Sequence, residues 1–594
     1  MPTPEYAFGP LRLGPDQTRF RLWAPGADAV ALELDGAAPV PMTAKADGWF
    51  ECDVACGAGT RYRFRVADVS FPDPASRLQD RDVHDFSVVT DVDSFDWQHD
   101  AWRGRPWHET VLYELHPGLY GGFAGITQRL SGLARLGVTA IELMPIADFP
   151  GPRNWGYDGV LPYAPDTAYG TPQALRTLID TAHGLGMMVF LDVVYNHFGP
   201  DGNYLGQYAG AFFRQDKHTP WGPAIDFSRP EVRRFFTENA LYWLSAYRFD
   251  GLRLDAVHAI PDAGWLDDMA GFVRTTIGPE RHVHLVLEND DNAAHLLGAP
   301  FDAQWNDDGH HALHTLLTGE SDGYYRDYAN TPEQGLARCL AEGFIYQGEA
   351  SAHRGGRPRG EPSAHLPPTA FVLFLQNHDQ IGNRAMGERL TTLLNARAPG
   401  QGPNPLAAAV ALLLLGPQIP LLFMGEEFGS KAPFLYFTSH NKALAQAVRE
   451  GRQREFATFL AFDGASLPDP NATSTFDTSS PFADHGEGAS SSVWQAYYAR
   501  LLELRHRHII PRLQGARAVG ARVVGPGSVI ASWRMGDGGM LTLAINLASQ
   551  PVDGIALPDG ELIFDSRQMP DGPPPARDSL AAGSLLALLE ADKP

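Results

Sequence analysis

The sequence predicts an α/β protein: a (β/α)8 TIM barrel with a β-sandwich before it and a β domain after it. Three observations predict this. Eight short apolar runs recur from residue 110 to residue 427, separated by longer amphipathic segments, the pattern of a parallel sheet with crossover helices. Most of these runs end in polar or charged residues, and the C-terminal ends of the strands are where barrel active sites form. At both ends of the chain the texture changes to short alternating runs between Gly, Pro and Asp turns.

The elements follow in order. "TRFRLWAP", "AVALELDG", "GWFECDV" and "RYRFRVAD" alternate with period two and place a sandwich over residues 1–95. "DSFDWQHDAWRGRPWHE" reads as a polar, Trp-bearing linker, which we set at 96–109. The barrel is expected over 110–510. Its strands are "TVLYELHP", "VTAIELMP", "MMVFLDVVYNH", "FDGLRLDAV", "HVHLVLEND", "FDAQWNDD", "AFVLFLQNHD" and "IPLLFMGEE". "TPQALRTLIDTAHGLG" is a helix with Thr171 as its N-cap. "LAAAVALLLLG", from Leu406, is too short to span a bilayer and reads as a buried helix. Residues 349–369 and 463–491 are irregular, either long loops over a site or plain surface. "GARVVGPGSVIASWRM" and "GMLTLAINLAS" open a C-terminal β domain, 511–594.

Composition narrows the function. With 47 Lys+Arg against 70 Asp+Glu, the net charge is −23, which argues against nucleic acid and anionic membranes as partners. Three cysteines, Cys52, Cys56 and Cys339, form no C-x-x-C motif, so a reducing compartment is the default. The first residues show no basic and apolar signal segment, and a cytoplasmic location is expected.

Three carboxylates at strand ends carry the chemistry: Asp255, Glu288 and Asp379. Converging on one barrel mouth, they need a cation, a proton or a positive transition state to compensate them. A bound metal is one answer; glycoside hydrolysis, through an oxocarbenium-like transition state, is another. No ligand spacing such as D-x-D-x-D-G is present, so neither a metal nor a cofactor is expected. Arg253 lies two residues before Asp255 and so on the same strand face. There its guanidinium favours an ionised Asp255. Glu288, after "HLVL" and among like charges, is expected to hold its proton.

"DVVYNH" (192–197), "GLRLDAV" (251–257), the Glu of "LVLEND" (285–290) and "QNHDQIGNR" (376–384) resemble the four ordered motifs of the α-amylase superfamily. The resemblance implies a retaining mechanism. Asp255 matches the nucleophile, Glu288 the general acid/base, and Asp379 the residue that stabilises the distorted sugar. Arg253, His197 and His378 match residues lining the subsite of the sugar to be cleaved. Tyr157 matches the aromatic platform beneath it, with Asp158 a structural neighbour. His258 falls one place earlier than a basic-plus-His pair common in amylases and receives no role.

Five stretches resemble the maltooligosyltrehalose trehalohydrolases within that superfamily: residues 142–172, "WGPAIDF" (221–227), "AQWNDDGHHALH" (303–314), residues 423–440 and "AVREGRQREF" (447–456). Gly309 replaces the aromatic expected in the third. The implied substrate is a maltooligosyltrehalose or related α-glucan, cut at the α-1,4 bond next to its terminal trehalose unit. Trp221, Asn306, Asp307 and Asp308 are the candidates for binding that unit. The alternatives are a glycogen branching enzyme, which passes the same intermediate to a sugar hydroxyl, and a non-catalytic glucan-binding protein. The three intact carboxylates weigh against the last.

Overall fold

The structure, a computed structural model, describes residues 6–91, 94–219, 222–456, 467–484, 489–567 and 577–591. At its centre eight parallel strands close a barrel in chain order. They are β1 (Leu112–Leu115), β2 (Ala140–Leu143), β3 (Met188–Val193), β4 (Gly251–Leu254), β5 (His284–Leu287), β6 (Ala303–Trp305), β7 (Phe371–Phe374) and β8 (Ile419–Phe423). β1 pairs with both β2 and β8, which closes the ring. All eight predicted runs are barrel strands. They are buried along their length because helices cover the outside and side chains fill the inside.

The lower and middle interior is apolar, packed with Leu112, Met188, Phe190, Val286, Phe374 and Leu421 among others. Gly251 makes room for Phe190, since a Cβ there would stand 2.2 Å from its ring. Above this plug the inward positions turn polar. Glu114 faces Glu142 across β1 and β2, and Asp192 faces Arg253 across β3 and β4.

Residues 96–109 do more than link two domains. Trp102 donates its indole N–H to buried Asp250 at 2.8 Å, and Trp107 donates to the Thr369 carbonyl at 2.7 Å. Both indoles pack on the apolar interior of the barrel. The polar composition of the segment hid two aromatic anchors.

Thr171 caps the helix Pro172–Gly184 by accepting from Ala174 N at 3.1 Å, as its position before the apolar period predicts. The helix Pro405–Leu415 is buried on all sides because the C-terminal domain packs over it. That domain is a five-stranded antiparallel sheet of Arg517–Gly525, Ser528–Arg534, Met540–Asn546, Ser584–Glu590 and Glu561–Asp565. The N-terminal sandwich has two antiparallel sheets, one around Gln17–Trp23 and Trp49–Val54, the other around Val30–Leu34 and Arg61–Val66. It packs on the helix Pro230–Ala246: Phe8 meets Phe235 at 5.0 Å, and Glu238 accepts from Ala7 N. Among the described residues, no helix is long and apolar enough to cross a membrane.

Candidate active site

The site is organised around Arg253, which is 1% exposed. Its Nη1 donates to both Asp192 oxygens, at 2.9 and 2.8 Å, and to Asp255 Oδ1 at 2.7 Å. Its Nη2 donates to Glu288 Oε2 at 2.7 Å. The guanidinium lies over the Trp305 ring, 4.4 Å from its centroid. One fixed cation therefore clamps three carboxylates from three consecutive strands, and the planar fork of an arginine suits that task where a lysine would not. Sequence alone pairs Arg253 with Asp255; Asp192 and Glu288 share it as well.

The two carboxylates at the mouth are set in different states. Burial pushes Asp255 up, but the charge of Arg253 and a hydrogen bond from Asn196 Nδ2 at 2.8 Å outweigh it, and its carboxyl lies below the ordinary range. Burial likewise pushes Glu288 up. There Arg253 only opposes the rise, while the charges of Asp255, Asp379 and Asp307 add to it, so Glu288 stands well above its ordinary value. Ala256, just past Asp255, adopts a left-handed conformation with φ 40°, which is strained for a non-glycine residue. Its N–H donates to Glu288 Oε2 at 2.9 Å. Both of these hydrogen bonds to Glu288 fall on Oε2 rather than on Oε1.

His378, Tyr157 and His197 line the same mouth. The Glu114 carboxylate accepts from His378 N at 3.0 Å and pairs with its Nδ1. Burial lowers the His378 pKa, but the charge of Glu114 and its hydrogen bond raise it above the ordinary value. The Tyr157 hydroxyl bonds Asp192 Oδ2 at 2.6 Å and His378 Nε2 at 2.8 Å, and its ring stacks on His378 with centroids 5.1 Å apart. His197 bonds the Tyr157 carbonyl at 2.9 Å and the Asn196 side chain; burial lowers its pKa, which favours a neutral ring. Asp379 opens the short helix His378–Gly382, which is capped by Asn377, and accepts from Asn383 Nδ2 at 2.6 Å. Asp158 is held by Asn154 Nδ2 at 2.6 Å.

The other four candidates separate. Trp221 lies outside the described residues. Asp307 is half-buried beside Asp379; burial first, then the charge of Asp379, pushes its carboxyl up to about 7. Asn306 and Asp308 correct the expectation that they meet sugar. Asn306 is 1% exposed, caps the helix Asp307–Thr318 and donates to the Gly343 carbonyl at 2.9 Å. Asp308 is fully buried and accepts from Arg359 Nη1, Tyr328 Oη, Asn292 Nδ2 and the backbone N–H groups of Ile345 and Tyr346, at 2.6 to 2.9 Å. Replacing Asp308 with Ala breaks its buried pair with Arg359, which keeps Asp290 at 3.1 Å, and takes the acceptor from the buried donors of Asn292, Ile345 and Tyr346. We expect a loss of about 3–5 kcal/mol, read by chemical denaturation. Gly309 faces away from the mouth: a Cβ there would meet Leu373 at 2.6 Å and Cys339 at 3.0 Å.

Sequence reading left several contributors unassigned. Glu114 is signalled only by its place among the polar strand ends, whereas Asp192 and Asn196 stand within the "DVVYNH" motif without a role of their own. His258 is exposed and accepts from Asp290 N at 3.2 Å, bracing the turn after Glu288. The loop over 349–369 is tied to the same turn: Arg354 bonds Asp291 at 2.8 Å and pairs with Asp290, and Arg359 donates to the Asp290 carbonyl at 2.8 Å.

The barrel, the clamped carboxylate pair and the two flanking β domains together define a glycoside hydrolase of the α-amylase type. Residues 83–219 match the alpha amylase catalytic domain, 7–80 carbohydrate-binding module 48 (isoamylase N-terminal domain), and 516–586 a domain of unknown function, DUF3459. The chain belongs to the malto-oligosyltrehalose trehalohydrolase family. It is 42% identical to the malto-oligosyltrehalose trehalohydrolase of Deinococcus radiodurans, over 82% of this chain and 81% of that one. It is 39% identical to that of Arthrobacter ramosus, over 82% and 87%. A solved protein from Salmonella typhimurium, assigned as an alpha amylase, superposes with a TM-score of 0.92 at 44% identity, covering 98% of this chain and all of that one. A branching enzyme from Jannaschia matches at 34% over only 41% of this chain and 39% of its own, so the branching alternative is not favoured.

Proposed function

We propose that the enzyme hydrolyses the α-1,4 bond next to the terminal trehalose unit of a maltooligosyltrehalose, in two displacements with net retention. An Asp255 oxygen attacks the anomeric carbon while Glu288 gives its proton to the glycosidic oxygen, and trehalose leaves. The maltooligosaccharide is then an ester on Asp255. Glu288, now a carboxylate, takes a proton from water as the water oxygen attacks the same carbon and frees Asp255. Asp379 holds the distorted ring. Tyr157 and His378 form its floor and wall, and Asp307 meets the trehalose unit.

The observation that carries this reading is the Arg253 clamp, which holds Asp255 and Glu288 side by side with opposite shifts. Such a divergence is what an acid and a nucleophile require. Specificity for the trehalose end is supported by the relatives, which are malto-oligosyltrehalose trehalohydrolases. Chromatography of a maltotriosyltrehalose digest should give free trehalose and maltotriose, with the new reducing end α by proton NMR at early times. Branched glucan without trehalose would overturn the reading; a β product would overturn retention alone. We also place the protein in the cytoplasm, which agrees with three free thiols at Cys52, Cys56 and Cys339.

A further inference from the structure

Glu142 stands outside this mechanism yet inside the barrel. It lies on β2, directly opposite Glu114 of β1 in the parallel register, with Phe190 of β3 on its other side. It is 1% exposed, and neither carboxyl oxygen has a hydrogen-bond partner. Three charged groups face it: Glu114 from β1, Asp192 from β3 and Arg253 from β4.

Those neighbours already have partners of their own. Glu114 is matched by His378, and Asp192 by Arg253 and Tyr157. Arg253 has both terminal nitrogens on Asp192, Asp255 and Glu288, and its Nε, like Glu142, is unpartnered. An ionised Glu142 would be a further anion in a dry layer, beside a carboxylate on the adjacent strand about 5 Å away. A carboxyl in such a place neutralises rather than ionises.

We propose that Glu142 is a protonated positioning residue, whose carboxyl O–H is donated to the Glu114 carboxylate. Glu114 is then held by that O–H from the neighbouring strand and by His378. The fixed carboxylate sets the His378 ring, and through it Tyr157, under the sugar. Burial, with the charges of Glu114 and Asp192, favours the same protonated state.

Infrared spectroscopy and two variants test this. The difference spectrum between wild type and Glu142→Gln at neutral pH should show loss of a carboxylic-acid C=O stretch. Glu142→Gln, whose amide can donate in place of the O–H, should keep kcat within about threefold and leave the pH profile unmoved. Glu142→Leu should lose kcat roughly tenfold or more, since it removes a hydrogen bond to a charged group, with KM little changed and the thermal transition retained. Loss of carboxylate stretches instead would overturn the proposal and favour an ionised Glu142 paired to Arg253 Nε. So would a Gln variant as impaired as the Leu variant. If the Leu variant does not fold, the spectrum and the Gln variant decide. The positioning role rests on the proposed function; the spectrum does not, because it detects the proton whatever the substrate.

Discussion

Asp255→Asn should fold and bind substrate but turn over at least about 10⁴-fold more slowly, the scale seen when a covalent nucleophile is removed. The fold should survive for a definite reason. Arg253 keeps Asp192 and Glu288 as partners, so no buried cation is stranded, and an Asn side chain can still accept from Asn196. What disappears is the oxygen that attacks. Asp255→Ala adds a second readout by opening a gap beside the anomeric carbon. Azide entering that gap would attack from the nucleophile's side and yield a glycosyl azide of inverted configuration. Turnover above about 1% of wild type in the Asn variant would remove Asp255 from the nucleophile's role.

Those consequences follow from a strand that was legible in the sequence. Residues of β4 alternate between core and mouth, so the parity that sends Leu252 and Leu254 outward sends Arg253 and Asp255 inward. The eight strands were legible for a related reason: a parallel strand buried on both faces is an apolar run, and its polar end marks the mouth. Helix caps such as Thr171 carry their own local signal.

Long-range partnerships carry no such signal. Asn306 and Asp308 stand in one acidic run with Asp307, and nothing local separates an anchor from a ligand. Asp308 is an anchor because Asn292, Tyr328, Ile345, Tyr346 and Arg359 converge on it, from positions spread over a long span of chain. Trp102 and Trp107 were hidden in the same way, in a segment whose composition is polar while its two indoles seek the barrel. The three-way clamp of Arg253 is visible only once β3, β4 and β5 are side by side.

Glu288→Gln should lower kcat/KM on maltooligosyltrehalose by about 10²–10⁴, the usual worth of a positioned general acid. The loss should depend on the leaving group. Trehalose needs a proton to depart, whereas fluoride does not. An α-glucosyl fluoride should therefore form the Asp255 ester readily and release one equivalent of fluoride in a burst, with slow hydrolysis after it, because the second step still lacks its base. The pH profile gives an independent sign. Asp255 lies below the ordinary carboxylate range and Glu288 well above it, so the active form, Asp255 ionised and Glu288 protonated, occupies the interval between the two. The wild-type kcat/KM should be bell-shaped, falling in acid as Asp255 takes a proton and in alkali as Glu288 loses one. In Glu288→Gln the amide has no proton to lose in that range, so the alkaline limb should vanish while the acid limb stays. An alkaline limb that persists in the Gln variant would assign it to another group and separate Glu288 from the acid's role.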